Sequence, residues 1–227
     1  MYAVQPDRAH ALHQAEDPAS LRFRAAQARD AQACAPLMFA SGVREFGFFL
    51  GDSAATCIEF LQFAFTSKHG RFSYRRHRVA VTADGTVVAV LAVHDGRTTW
   101  FDDPHVVLML LLFFGVRRTV GMLLRGLVLE SELPAPKSSQ TLIAHCATHE
   151  RMRGTGVFTA LFMDAMRAGL AHEDRDRQIV LDVLVSNTRA YELYRRLGFV
   201  ELPRRGPISR RLPYELESVR MQLMRHV

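Results

Sequence analysis

The sequence predicts an α/β fold, and three observations predict it. A β-branched run of strand length, Gln140–Thr148, empties into a glycine-rich turn, after which the apolar spacing becomes helical and then returns to a second strand. Two further β-rich runs flank Asp84-Gly85, a dipeptide that favours a hairpin turn. The chain of 227 residues is 48% hydrophobic, enough to bury one sizeable core, so residues 21–227 are expected to form a single domain.

In chain order, Met1–Ser20 is polar and alanine-rich without clean periodicity and is expected to be a flexible extension. Leu21–Ala25 is a short strand. Ala28–Phe39 is a helix with Ala31, Cys34, Ala35 and Met38 as its apolar stripe. Val43–Phe49 carries Phe46, Phe48 and Phe49, and Gly51-Asp52-Ser53 then caps a helix over Ala54–Phe65. These phenylalanines read first as core aromatics, with Arg44 and Glu45 as the polar members able to reach a substrate. Arg78–Thr82 and Thr86–His94 form the hairpin, and His94 ends its second strand as an ordinary strand-end histidine or a base.

Residues 97–133 read as a hydrophobic two-helix insertion, about Asp103–Phe114 and about Arg117–Glu130, hinged near Gly115. Its apolar run Val106–Val116 is shorter than the roughly 20 residues a helix needs to cross a bilayer, so no transmembrane segment is expected. Packing against the domain is the first reading; a homodimer surface, an apolar substrate lid and contact with a membrane surface are the alternatives.

After the strand Gln140–Thr148 come His149-Glu150-Arg151-Met152-Arg153-Gly154-Thr155-Gly156 and a helix from Val157 with a stripe through Leu161, Ala165 and Leu170. A helix that opens on a glycine turn aims free backbone N–H groups and its positive dipole end at one point, where phosphate is the usual occupant. A polar loop, His172–Arg177, leads to the strand Gln178–Val185, apolar except for Asp182. Ser186-Asn187-Thr188 caps a helix Arg189–Leu197 that stops at Gly198. A short strand over Val200–Leu202, a loop Pro203–Pro213 with Arg204, Arg205, Arg210 and Arg211, and a last strand Ser218–Met224 complete the chain. The arginine loop reads as a solvated basic segment or a contact for an acidic group.

Two of these stretches carry a resemblance. His149–Val157 resembles the acetyl-coenzyme A (acetyl-CoA) pyrophosphate loop of the GNAT superfamily of N-acyltransferases, and Asn187–Phe199 resembles its second signature, Asn-x-x-Ala-x-x-Leu-Tyr-x-x-x-Gly-Phe. The resemblance covers about sixty residues and implies a mixed, mostly antiparallel sheet of six or seven strands flanked by helices. The loop pattern Q/R-x-x-G-x-G/A is read from Arg153, which puts Phe158 where the family carries a small residue; reading from Arg151 fits the letters but starts the helix two residues early.

The resemblance further implies transfer of acetyl from acetyl-CoA to an amine. The backbone of Arg153, Gly154, Thr155, Gly156, Val157 and Phe158, with the charge of Arg151, would hold the pyrophosphate; strand-edge backbone at Cys146 and Thr148, and Asn187, would meet the pantetheine arm. Tyr194 corresponds to the family tyrosine that protonates the departing thiolate. An alkylammonium must lose a proton, and a general base is worth about 10²- to 10⁴-fold. Asp182, a lone acid in an apolar strand five residues before Asn187, is the first candidate, with Glu150 and His145 in reserve.

A formal net charge of +6 and a pI of about 9.7 favour anionic partners such as coenzyme A. No helix-turn-helix, zinc-ligand spacing or aromatic RNA-binding signature is present, so no nucleic acid is expected. His145, Cys146 and His149 lack a fourth ligand at useful spacing, and His145 and Cys146 should point to opposite strand faces, so no metal is expected either. Three widely spaced cysteines and the lack of an apolar N-terminal core suit a cytoplasmic protein. The alternatives to acetyl transfer are a longer acyl donor or apolar acceptor, suggested by the insertion, and a catalytically silent coenzyme A-binding module.

Overall fold

The strands are β1 (Arg22–Ala25), β2 (His77–Val81), β3 (Val87–Asp95), β4 (Gln140–Thr148), β5 (Gln178–Leu184), β6 (Phe199–Glu201) and β7 (Ser218–Leu223). They form one seven-stranded sheet in the order β1-β2-β3-β4-β5-β7-β6, in a computed structural model that describes residues 21–170, 177–204 and 209–224. The readings made for residues 1–20, for 171–176 of the polar loop and for 205–208 of the arginine loop lie outside the described residues. Every neighbouring pair is antiparallel except β4 and β5, which run parallel. This is the mixed, mostly antiparallel sheet that the sequence predicts.

Local chemistry accounts for the element ends. Ser53 accepts a hydrogen bond of 3.2 Å from the Thr56 N–H and starts α3 (Ala54–Phe65). Asn187 accepts one of 3.2 Å from the Ala190 N–H and starts α6 (Thr188–Arg196). Residue 28 opens a short 3-10 turn that feeds α1 (Ala31–Ser41), and α2 (Val43–Leu50), not foreseen as a helix, crosses it at a bend of 97° at Gly42. The regular part of α5 (Val157–Ala165) is shorter than its apolar stripe suggested: Met166–Leu170 is a single π-type turn, non-helical at Gly169.

The insertion is the expected pair of helices, joined end to end at Gly115, the expected hinge, whose backbone alone is non-helical; the two together are α4 (Thr99–Glu130). By length and composition it could cross a membrane, because the apolar residues from Val120 to Leu129 extend the run that ends at Val116. It packs on α2 and α3, burying Leu110, Thr119 and Met122. Phe113 meets Phe60 of α3 edge-on at 5.7 Å and Phe114 meets it tilted at 5.3 Å. Arg125 ties it to α2, donating to the Phe49 carbonyl at 3.0 Å and the Leu50 carbonyl at 2.8 Å; these are end-of-helix acceptors that α2 itself cannot satisfy. Its opposite face, with Leu112, Val116, Leu124 and Leu127, is exposed.

Two cores result. One lies between the sheet and α1 to α4, around Met38, Phe60 and Phe65. The other lies between the opposite sheet face and α5 and α6, around Leu161, Phe162, Tyr194 and Phe199.

Candidate active site

The sheet is interrupted where it matters. Pairing between β4 and β5 runs from Gln140 against Gln178 to Ile143 against Leu181 and stops, although β4 continues to Thr148 and β5 to Leu184. At the same level β4 bulges: Val90 of β3 faces Ala147 and Ala92 faces Ala144, so Leu91 alone opposes His145 and Cys146. His145 takes a φ of 50°, a left-handed value unusual for a side-chain-bearing residue. The result is a gap between two parallel strands, beside strained backbone, that joins one sheet face to the other.

Beyond β4, Glu150–Met152 forms a 3-10 turn, and Gly154 and Gly156 follow at φ values of 85° and 86°. A side chain at either glycine would meet nothing within 4 Å, so the loop is open and the glycines serve conformation. Gly156 is the N-cap of α5 and no side chain caps that helix, which leaves its first N–H groups directed outward between the exposed Arg151 and Arg153. Free donors, a positive dipole end and two guanidinium groups suit a diphosphate. With both glycines left-handed and the helix beginning at Val157, the loop pattern starts at Arg151, not Arg153. Phe158 is then a helical residue, buried and stacked edge-on against Tyr194 at 6.1 Å, and it faces the sheet. Thr155 closes the turn by donating to the Met152 carbonyl at 2.8 Å, and Arg153 donates to the Thr148 carbonyl at 3.4 Å.

On this face of the gap stand Cys146 and Tyr194. Burial pushes the Tyr194 hydroxyl well above the ordinary phenol range, and the adjacent Cys146 thiol adds to it. The thiol itself is pushed up to about 12 by burial, against the pull of the Tyr194 hydroxyl. Both are therefore protonated at neutral pH, and Tyr194 is a donor. Asn187 sits exposed at the start of α6 with its side chain committed to the cap.

The other face opens into a cavity of about 420 Å³. Val106, Val107, Leu123 and Leu127 of α4, Phe46 and Phe49 of α2, and Phe72 make most of its wall apolar; Leu142–His145 and Asp182–Leu184 bring both strands at the gap to its edge. His145 therefore faces the cavity while Cys146 belongs to the opposite core, the separation expected for them. His145 packs between Phe46 and Phe72, each at 5.8 Å, and its Nδ1 lies 3.0 Å from Nε2 of His77. His94 meets the same ring edge-on at 5.7 Å, and its buried Nδ1 has no hydrogen-bond partner among the described residues. Burial draws all three imidazoles below the ordinary histidine range, His77 to about 4.

Two acids line the cavity differently. Glu45 is raised by burial, and its buried Oε2 has no hydrogen-bond partner among the described residues. Asp182 accepts from Arg220 through both oxygens, at 2.8 Å each, across the β5–β7 ladder. Burial pushes its carboxyl up and the guanidinium draws it back, burial being the larger effect. Glu150 is exposed on the turn before the loop and does not line the cavity.

The family model described as the acetyltransferase (GNAT) family matches residues 54–199. The chain belongs to the GNAT family. No curated protein matches it in sequence. Among solved structures it is similar to an N-acetyltransferase from Staphylococcus aureus Mu50, at a TM-score of 0.65 and 14% identity over 89% of this chain and 100% of that one. It is also similar to a protein described as an acetyltransferase, at 0.61 and 17% over 89% and 98%, and to a GCN5-related N-acetyltransferase from Kribbella flavida, at 0.50 and 21% over 91% and 98%. At these identities the likeness is one of fold.

Within this GNAT fold, His77, Arg220 and Phe72 went unnoticed in the sequence. His77 had a signal: it precedes Val79 and Val81 at period two, which places all three on one face of β2. Arg220 stands opposite Asp182 only once the β5–β7 register is known.

Proposed function

We propose that the chain is an N-acetyltransferase that moves acetyl from acetyl-CoA to an amine carried on an apolar body. The observation that carries this reading is the gap between β4 and β5, flanked by an open anion-binding loop and a buried phenol on one face and by an apolar cavity holding a neutral histidine on the other. Acetyl-CoA supplies the acetyl group as a thioester, so that amine attack forms a C–N bond, breaks the C–S bond and releases the thiol.

The chain's residues divide that work. Backbone N–H groups of Gly154–Phe158 and the side chains of Arg151 and Arg153 hold the pyrophosphate, and the unladdered edge of β4 at Cys146 and Thr148, with Asn187 nearby, receives the pantetheine arm. The Glu45 carboxylate, whose Oε2 has no partner among the described residues, attracts the ammonium group into an otherwise apolar cavity. There the ammonium gives one proton to solvent and becomes the free amine that attacks. His145 takes the amine proton: burial keeps its imidazole neutral, and a weak base is sufficient because the proton grows acidic as the C–N bond forms. Tyr194 donates its proton to the departing sulfur and recovers one from solvent, as His145 returns its own. Asp182 is assigned to hold β7, since taking up a substrate proton would break its pair with Arg220. The wall supplied by α4 favours an apolar acceptor over a small polar one. We further take residues 21–227 as one acetyltransferase domain and place it in the cytoplasm, where thiols remain reduced.

The test is amine-dependent thiol release from acetyl-CoA across a panel of aryl- and alkylamines. Turnover in the native protein, with Tyr194→Phe losing kcat while keeping acetyl-CoA affinity, is expected. A native protein that binds acetyl-CoA and releases no thiol with any amine would be a silent binding module.

A further inference from the structure

We propose that His77 is a positioning residue that locks His145 in the tautomer whose Nε2 carries the lone pair. This rests on the reading of His145 as the base. The Ser73 carbonyl can only accept, and Nδ1 of His77 lies 2.7 Å from it, so Nδ1 of His77 carries a proton and donates. A neutral imidazole holds one proton, which leaves Nε2 of His77 as an acceptor. The atom 3.0 Å from that acceptor is Nδ1 of His145, which must then be the donor. His145 in turn has its single proton on Nδ1, and Nε2 remains as a free lone pair on a residue that lines the acceptor cavity.

The anchor is rigid. Ser73 is 1% exposed; its hydroxyl donates to the Ser67 carbonyl at 2.6 Å, and its own carbonyl also accepts from the Arg76 N–H at 3.0 Å. His77 is 1% exposed, stacks on His145 with their planes 8° apart and packs against Phe65 at 5.1 Å. The bulge is what brings the rings together, because the left-handed backbone at His145 turns its side chain into the acceptor face beside β2. The charged and titratable groups around the pair are His94 on β3, Arg71 and Arg76 before β2, Glu45 on α2, Asp103 on α4 and Asp182 on β5; Arg71 pairs with Asp103 and Arg76 with Asp102, which leaves His77 as the protein group bonded to Nδ1 of His145. The same logic operates wherever a second group fixes which nitrogen of a catalytic imidazole is free, and a wrong tautomer there removes the base without moving it.

Two measurements test the lock. Long-range proton–nitrogen NMR correlation on the 15N-labelled native protein near neutral pH reads the tautomer of each ring, with His77→Phe and His145→Phe variants assigning the signals. The expected result is a neutral Nδ1–H form for both His77 and His145; an Nε2–H or doubly protonated His145 overturns the proposal whether or not the protein turns over any amine. In amine acetylation, His77→Phe is expected to lower kcat by about 10²- to 10⁴-fold with the KM for acetyl-CoA unchanged. His77→Gln, whose carbonyl can accept from His145, should recover part of that loss. A folded His77→Phe variant with undiminished kcat also overturns it.

Discussion

Asp182 and Arg220 face each other across β5 and β7 and are joined by two hydrogen bonds of 2.8 Å. The pair is nearly enclosed, with side chains 13% and 12% exposed. Removing one partner strands a buried charge, whereas replacing both by apolar residues does not. Arg220→Leu alone is expected to destabilise the protein by about 3–5 kcal/mol in urea unfolding, and Asp182→Leu with Arg220→Leu to recover most of it. An additive double variant would show that the two residues are not coupled.

Glu45 separates binding from chemistry. Its unpartnered oxygen lies in the cavity wall and not at the loop, so Glu45→Gln is expected to raise the KM for an amine about tenfold, within the range of one charged hydrogen bond, and to leave the KM for acetyl-CoA unchanged. Steady-state kinetics with each substrate varied in turn decides this; an effect confined to acetyl-CoA would remove Glu45 from the acceptor site.

The buried histidines make stability depend on pH with a definite sign. In the folded chain His77 titrates near 4, against 6.5 when exposed, and His94 and His145 are drawn down in the same direction, chiefly by burial. Between those values the unfolded chain binds more protons, so the stabilisation is complete above pH 6.5 and is lost as the pH falls towards 4. Urea midpoints should decline across that window in the native protein and decline less in His77→Phe. Parallel curves for the two proteins would mean that His77 does not titrate as described.

Arg125 and Gly51 make one joint between α2 and α4. Gly51 ends α2 at a φ of 64°, and a Cβ there would come within 2.6 Å of the Arg125 guanidinium. Arg125→Ala should cost about 1–3 kcal/mol by leaving the Phe49 and Leu50 carbonyls without their donor. Gly51→Ala should also be destabilising, from backbone strain and from displacing Arg125. Thermal unfolding of the single and double variants reads both, and the double variant should fall short of additivity.

What could be read from the sequence was what local chemistry decides. Ser53 and Asn187 cap helices with atoms three residues away, Gly115 bends α4, and the glycine turn sits between β4 and α5. The choice between Arg151 and Arg153 as the start of the loop pattern depends on which glycines are left-handed, a property of backbone angles that residue spacing does not carry. The cavity side was harder to see because its contacts are long-range. His77 meets His145 across 68 positions, and only because β4 bulges at His145. Asp182 read as a free acid because Arg220, 38 positions away, becomes its neighbour only through strand register. The partner of Arg118 was equally hidden, since Asp52 lies far off in the chain and meets it only in the fold.

The most direct test of the account is calorimetric titration of acetyl-CoA into the native protein, into a Gly154→Glu/Gly156→Glu variant and into Arg153→Glu, an exposed change that keeps both glycines. Micromolar binding to the native protein, abolished by the glycine changes and weakened by Arg153→Glu, is the predicted result. A native protein that does not bind acetyl-CoA would contradict the assignment of the loop, and with it the transfer reaction built on the gap between β4 and β5.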